Sequence, residues 1–74
     1  MKEYVKRLID LRTVADLTQT EVRKVINKSQ LEYDHIENSR ANISVDDIIT
    51  LCKFYNVSPL YVLGCFTDEI EKLK

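Results

Sequence analysis

Glycine and proline are nearly absent from this sequence, which has one of each among its 74 residues. A fold made of tight β-hairpins needs several glycine-containing turns, so the sequence disfavours that architecture. There is also no run of about 18 apolar residues, and no membrane-spanning helix is expected. The opening MKEYVKRLID has neither the apolar core nor the cleavage site of a signal peptide. We therefore expect a cytoplasmic protein with no membrane partner.

Residues that carry chemistry are equally scarce. Cys52, Cys65 and the single His35 do not have the spacing of a metal site. We expect two reduced thiols, with Cys52 in the core. The sequence contains no nucleophile–base–orienter set and no glycine-rich phosphate loop, so we expect no enzyme activity, no metal and no cofactor.

A helical period is the clearest positive signal. Apolar residues repeat at helical spacing through Tyr4, Leu8, Leu11 and Ala15, which predicts a first helix over residues 2–15. Four helix-start signals follow, each a serine or threonine with an acidic residue or a proline close behind: TQTE, SQLE, SVDD and SPLY, beginning at Thr18, Ser29, Ser44 and Ser58. Gly64 is a natural helix stop. TDEIEKLK predicts a short sixth helix, because its acidic residues precede its lysines.

The second and third predicted helices have about two turns each and are separated by Asn27 and Lys28. Helices this short are unstable alone and must be held by their neighbours. The pattern is typical of a helix-turn-helix unit inside a small helical bundle. We predict one all-α domain over residues 1–64, followed by an amphipathic tail over residues 65–74 that packs on the core or on a dimer partner.

From Tyr4 to Gly64 the chain resembles the lambda-repressor-like Cro/C1 helix-turn-helix family, also called the XRE family. The resemblance is carried in register by Leu17-Thr18-Gln19, Glu21, Ser29, Ile36-Glu37, Asn42, Leu51 and Val57-Ser58 leading into Tyr61-Val62-Leu63-Gly64. It implies a five-helix DNA-binding domain. Family members are mostly bacterial or phage transcriptional regulators, and many bind operator DNA as dimers with helix 3 in the major groove.

The resemblance also implies structural roles. Arg12 and Glu37 stand where the family often has an ion pair between helix 1 and the end of helix 3. Arg23 stands where a small alanine usually packs against helix 3. Asp, Asn and Ser replace the frequent turn glycines at Asp16, Asn27 and Ser39, and the first two types tolerate left-handed backbone better than most residues.

The positions that read DNA bases in the family fall on Gln30, Leu31, Asp34 and His35. Gln30 can pair with adenine, Leu31 can contact a thymine methyl, and His35 can donate to guanine or to a phosphate. Asp34 can accept from cytosine but repels phosphates. Gln30 and His35 have an alternative interpretation as ordinary exposed residues. Leu31 can instead be a hydrophobe that faces a protein partner, and Asp34 can be a residue that touches no base and indicates a protein-facing helix. Glu32 has a structural interpretation, as the partner of Ser29 in a capping box.

Contacts to the DNA backbone are expected from residues around the helix starts and from the following loop. These residues are Thr18, Gln19, Lys28, Ser29, Arg40 and Asn42.

The tail has one apolar stripe, formed by Phe66, Ile70 and Leu73. It covers the core of its own domain or forms a dimer contact. Ile9 and Val14 are not needed by the helix 1 core stripe and offer a second surface for a regulatory protein partner.

The sequence therefore predicts a homodimeric repressor that binds double-stranded DNA at a two-fold operator. Its rival is a helix-turn-helix fold used for protein binding. A net charge of −1 and a pI of about 5.7 favour the rival, because DNA-binding domains usually have a basic footprint.

Overall fold

The computed structural model describes residues 2–64. The helices in this part of the chain are α1 (Glu3–Val14), α2 (Gln19–Val25), α3 (Gln30–Glu37), α4 (Val45–Tyr55) and α5 (Pro59–Val62), and it contains no β-strand. The all-α prediction is confirmed. The predicted sixth helix and the tail over residues 65–74 lie outside the described residues.

Hydroxyl side chains determine where α2 to α5 begin. The oxygens of Thr18, Ser29 and Ser44 each accept a hydrogen bond from the backbone N–H three residues later, at 3.1–3.2 Å. Ser58 accepts from the N–H of Leu60, and a proline follows it at the first helical position. All four predicted starts are therefore confirmed. Each cap satisfies a backbone N–H that the helix itself leaves without a partner.

The turns between the helices use left-handed backbone without glycine. Asp16, Asn27 and Ser39 have φ angles of 58°, 54° and 59°, as expected for positions where the family often has glycine. Asn56, at the end of α4, also has a positive φ of 58°. Asp and Asn reach this region at low cost, whereas a serine there is more strained.

The core lies between the inward faces of all five helices. Its buried members are Leu8, Val22, Ile26, Tyr33, Ile36, Ile43, Ile48, Leu51, Cys52 and Val62. Tyr33 and Ile36 form the inward face of α3, as the sequence predicted. Cys52 is fully buried, and burial raises the pKa of its thiol.

Two details differ from the sequence prediction. Ala15 is exposed, because α1 ends at Val14 and Ala15 is its cap; Val5 is buried with Leu8 instead. α5 ends at Val62, just before Gly64, as predicted for a helix stop, but the cap is Leu63 and Gly64 does not have a positive φ. Gly64 instead lies under Arg7, whose guanidinium would collide with any Cβ there. Arg7 also donates to the Tyr61 carbonyl at 3.0 Å, and so fastens α5 to α1.

Candidate nucleic-acid interface

Both helices of the helix-turn-helix begin with a complete capping box. The Glu21 carboxylate accepts from the Thr18 backbone N–H at 3.2 Å, and Glu32 accepts from the Ser29 backbone N–H at 3.0 Å. This confirms the capping role predicted for Glu32. Hydrogen bonds from the Ser29 backbone and then its side chain lower the pKa of Glu32. Glu32 is therefore a structural part of the helix start, and its charge does not need a partner outside the domain.

Arg12 and Glu37 form a part-buried ion pair between α1 and the end of α3. Arg12 donates from Nε and Nη2 to the two carboxylate oxygens of Glu37, at 2.8 and 3.0 Å. Its Nη1 donates to the Leu17 carbonyl at 2.9 Å. The Arg12 guanidinium thus connects three parts of the domain, namely α1, the end of α3 and the loop that precedes α2. These bonds hold the end of α3 against α1.

Burial would raise the pKa of Glu37, but hydrogen bonds outweigh it. Arg12 and Gln19 donate to the carboxylate, and the nearby Tyr33 hydroxyl acts in the same direction, so the pKa of Glu37 lies below its ordinary value. The hydrogen bond to Glu37 in turn raises the pKa of Arg12. Burial raises the pKa of the neighbouring Tyr55 to about 12. Arg12 and Glu37 are therefore both ionised at neutral pH, and the charge of Glu37 is compensated inside the domain.

A chain of side-chain amides runs outward from this pair. Gln19 Nε2 donates to Glu37 Oε1 at 2.8 Å, and Gln30 Nε2 donates to Gln19 Oε1 at 3.1 Å. Thr20 Oγ1 donates to Gln30 Oε1 at 2.9 Å. Gln30 is exposed at the first position of α3 and is held from two sides. Nothing in the sequence indicated a role for Thr20, because its contact is with a side chain on another helix.

The outward face of α3 has the four predicted base-reading residues. Gln30 and Leu31 are exposed, the latter by 65%, and Asp34 and His35 are partly exposed. The backbone carbonyls of Asp34 and His35 accept bonds from the end of α3 and the following loop. Within residues 2–64 the Asp34 carboxylate has no hydrogen-bond or ion-pair partner, so it is the uncompensated charge of this face.

The predicted backbone-contact residues differ in how free they are to bind a phosphate. Arg40 is exposed. The Lys28 ammonium lies 3.4 Å from the Asp47 carboxylate, and Asn42 accepts from Lys2 at 3.3 Å. Lys28 would therefore have to exchange a partner in order to bind a phosphate.

The hydroxyl-bearing candidates are also engaged within the domain. Thr18 Oγ1 accepts from the Glu21 N–H and donates to its carboxylate at 3.0 Å, while Ser29 Oγ accepts from the Glu32 N–H.

Arg23 replaces the small residue that the family usually has on α2. Its Nη1 donates to the Lys28 carbonyl at 3.3 Å, across the turn between α2 and α3. Its Nε is buried without a partner in the described part of the chain. Arg23 therefore bonds to the turn, while Val22 on α2 and Tyr33 on α3 are both buried in the core.

The comparisons with known proteins agree with this arrangement. The Helix-turn-helix family model matches residues 8–62, so the chain belongs to the Cro/C1-type helix-turn-helix family, the XRE family. This is a family of DNA-binding regulatory domains that are typically not enzymes. Neither the curated proteins nor the solved structures contain a match to the chain.

Two kinds of feature are absent from residues 2–64. None of the helices is both long and apolar enough to cross a membrane. Within residues 2–64, no group of three or more His, Cys, Asp or Glu side chains is placed to hold a metal ion.

Proposed function

We propose that this chain is a sequence-specific DNA-binding transcriptional regulator, a repressor that works in the cytoplasm of a bacterium, encoded by the bacterium or by a phage. The observation that carries the proposal is the position of Gln30. Its amide is exposed at the start of α3 and braced by Gln19 and Thr20, while the opposite face of the helix is buried. A braced amide of this kind is suited to paired hydrogen bonds with a base edge.

In this proposal, α3 enters the major groove and its four outward residues meet the bases. Gln30 pairs with adenine, Leu31 contacts a thymine methyl, and His35 donates to guanine or a phosphate. Asp34 accepts from a cytosine amino group. Thr18, Gln19, Lys28, Ser29, Arg40 and Asn42 contact the DNA backbone, which supplies affinity without sequence choice.

The repressor is proposed to act as a homodimer on a two-fold operator and to exclude polymerase or a competing regulator by occupying the site. Leu60 and Tyr61 support a dimer contact at α5, because their side chains are 65% and 52% exposed. The predicted dimer residues Phe66, Ile70 and Leu73 follow α5 in the sequence. Two linked copies would also compensate for the small basic rim of each domain.

A mobility-shift titration at low salt tests DNA binding, first with random duplex and then with duplexes selected from a random library. Gln30→Ala should weaken the selected site more than random duplex. Arg40→Ala should weaken both alike and reduce the salt dependence. Lys53→Ala is the matched control, because Lys53 is an exposed cation of α4 outside the proposed interface. No shift with any duplex at low salt would refute the proposal.

The alternative function is protein binding through the same face. Two observations favour it, the uncompensated Asp34 carboxylate and the exposed Leu31. If the alternative is correct, neither the wild-type protein nor Asp34→Asn binds DNA. If DNA binding is correct, the same change removes a repulsive charge and raises affinity for random duplex.

A further inference from the structure

The buried carboxylate of Glu37 determines which side of each amide in the chain donates and which side accepts. An ionised carboxylate only accepts hydrogen bonds. Glu37 accepts two from Arg12 and one from Gln19, so Gln19 has to present its NH2 group to Glu37. The carbonyl oxygen of Gln19 must then face away from the core, towards α3.

The same constraint passes to the next amide. Because Gln19 presents a carbonyl, Gln30 has to present its NH2 group in return, which places Gln30 Oε1 beside the Thr20 hydroxyl. Reversing the Gln30 amide would put two carbonyl oxygens in contact. The buried charge of Glu37 therefore fixes which side of the Gln30 amide is donor and which is acceptor.

Gln30 keeps one unused N–H and one unused acceptor lone pair, since an amide has two donors and two acceptor sites. Adenine presents an acceptor and a donor side by side in the major groove, whereas guanine presents two acceptors. A glutamine whose amide rotates freely could form the paired hydrogen bonds with adenine on either strand, because it can exchange the positions of its donor and acceptor. A Gln held in one order matches adenine on one strand only.

We propose that Glu37 and Thr20 are positioning residues for base recognition, which hold the Gln30 amide in one donor–acceptor order so that an A·T pair is distinguished from T·A. This inference rests on the proposed function, because it needs α3 in the major groove. Glu37 sets the order through Gln19, and Thr20 holds the outer end of the chain. Neither residue has to touch DNA.

The test compares base preference at the pair that Gln30 reads. Selection from a random duplex library gives the preferred site, and the position whose preference disappears in Gln30→Ala identifies that pair. Fluorescence anisotropy then gives Kd for duplexes with A·T, T·A, G·C or C·G at this position. The wild-type protein should prefer A·T over T·A by roughly tenfold to a hundredfold.

Thr20→Val should reduce this preference by about twofold to twelvefold, the effect of one lost hydrogen bond. It should leave affinity for random duplex unchanged. Thr20→Ser should restore the preference. Thr50→Val is the matched control, because the Thr50 hydroxyl donates to a carbonyl of its own helix, that of Asp46. It should behave as wild type.

Glu37→Gln tests whether Glu37 sets the donor–acceptor order. A glutamine at position 37 can donate to Gln19, so the Gln19 and Gln30 amides can both reverse. The ratio of A·T to T·A affinity should fall towards one in a variant whose circular dichroism shows a folded domain. If Glu37→Gln does not fold, Gln19→Met interrupts the chain without removing the ion pair and should give the same fall.

The outcomes separate the two proposals. No binding to any duplex at low salt overturns the proposed function and this inference with it. The inference alone is overturned if the protein binds DNA and its A·T preference is unchanged both in Thr20→Val and in Glu37→Gln, or in Gln19→Met where Glu37→Gln does not fold. A wild-type preference for a pair other than A·T at the Gln30 position, or a Gln30→Ala protein that keeps every preference, also overturns the inference alone.

Discussion

Removing the Glu37 carboxylate should destabilise the domain severely, because it leaves the Arg12 guanidinium part-buried without its anion. Breaking a buried ion pair from one side costs about 3–5 kcal/mol. Here the Arg12 side chain keeps 18% of its exposure and its bond to the Leu17 carbonyl, so the lower end applies. For Glu37→Ala we therefore expect a loss of about 3 kcal/mol. A domain of this size has only about 4–11 kcal/mol of stability in total.

Urea unfolding followed by circular dichroism measures this loss. Glu37→Ala should lower the midpoint with an unchanged slope, since the surface exposed on unfolding stays the same. Glu3→Ala is the matched control, an exposed glutamate in the first turn of α1, and should change stability by less than about 0.5 kcal/mol. The double variant Arg12→Met, Glu37→Leu should recover to within about 1 kcal/mol of wild type, because both charges are gone.

The same pair predicts a pH dependence with a definite sign. The pKa of Glu37 is lower in the folded protein than its ordinary value of 4.5, so the unfolded state binds a proton more readily. The contribution of the Arg12–Glu37 pair to the free energy of unfolding is therefore complete above about pH 4.5 and is lost as the pH falls below that value. Glu37→Ala should show a shallower acid decline than wild type. A loss below about 0.5 kcal/mol, or a double variant as unstable as the single one, would refute this account of the pair.

Three further predictions use other features. Ser39→Gly should raise stability in a thermal or urea melt by about 0.5–1 kcal/mol, because relief of left-handed strain exceeds the added freedom of the unfolded chain; a destabilised variant would contradict this. Asp47→Asn should free Lys28 and raise affinity for random duplex about twofold to fivefold in anisotropy titrations, whereas the control Asp46→Asn, the same charge change one residue away, should not. Leu60→Glu should shift the chain towards monomer in sedimentation equilibrium; an unchanged dimer would exclude α5 from the interface.

The fold could be predicted well because its signals are local. Capping boxes at Thr18 and Ser29 involve residues three positions apart, and the left-handed turns are marked by residue type. The end of α5 just before Gly64 was also predicted, but the packing of Gly64 was not, for the opposite reason. Its place in the structure depends on the Arg7 side chain from another helix, and nothing next to Gly64 in the sequence indicates that contact.

The interface could be predicted only in outline. The outward face of α3 follows from helical periodicity once Tyr33 and Ile36 are placed inside. The partners of its residues do not, because they lie on other helices. The bond from Thr20 to Gln30 and the pairing of Lys28 with Asp47 depend on how α2, α3 and α4 pack together. The sequence order of these residues contains no signal for either contact.

The chain of amides has a consequence for how such a domain changes its target sequence. Replacing Gln30 alone would leave the Gln19 carbonyl without its donor and the Thr20 hydroxyl without its acceptor. Both bonds are exposed, so water can replace them, but the new side chain at position 30 is then no longer held in one orientation by its neighbours. We expect positions 19, 20 and 30 to change together in relatives with other operators, so that the unit of evolutionary change is a set of three side chains on two helices.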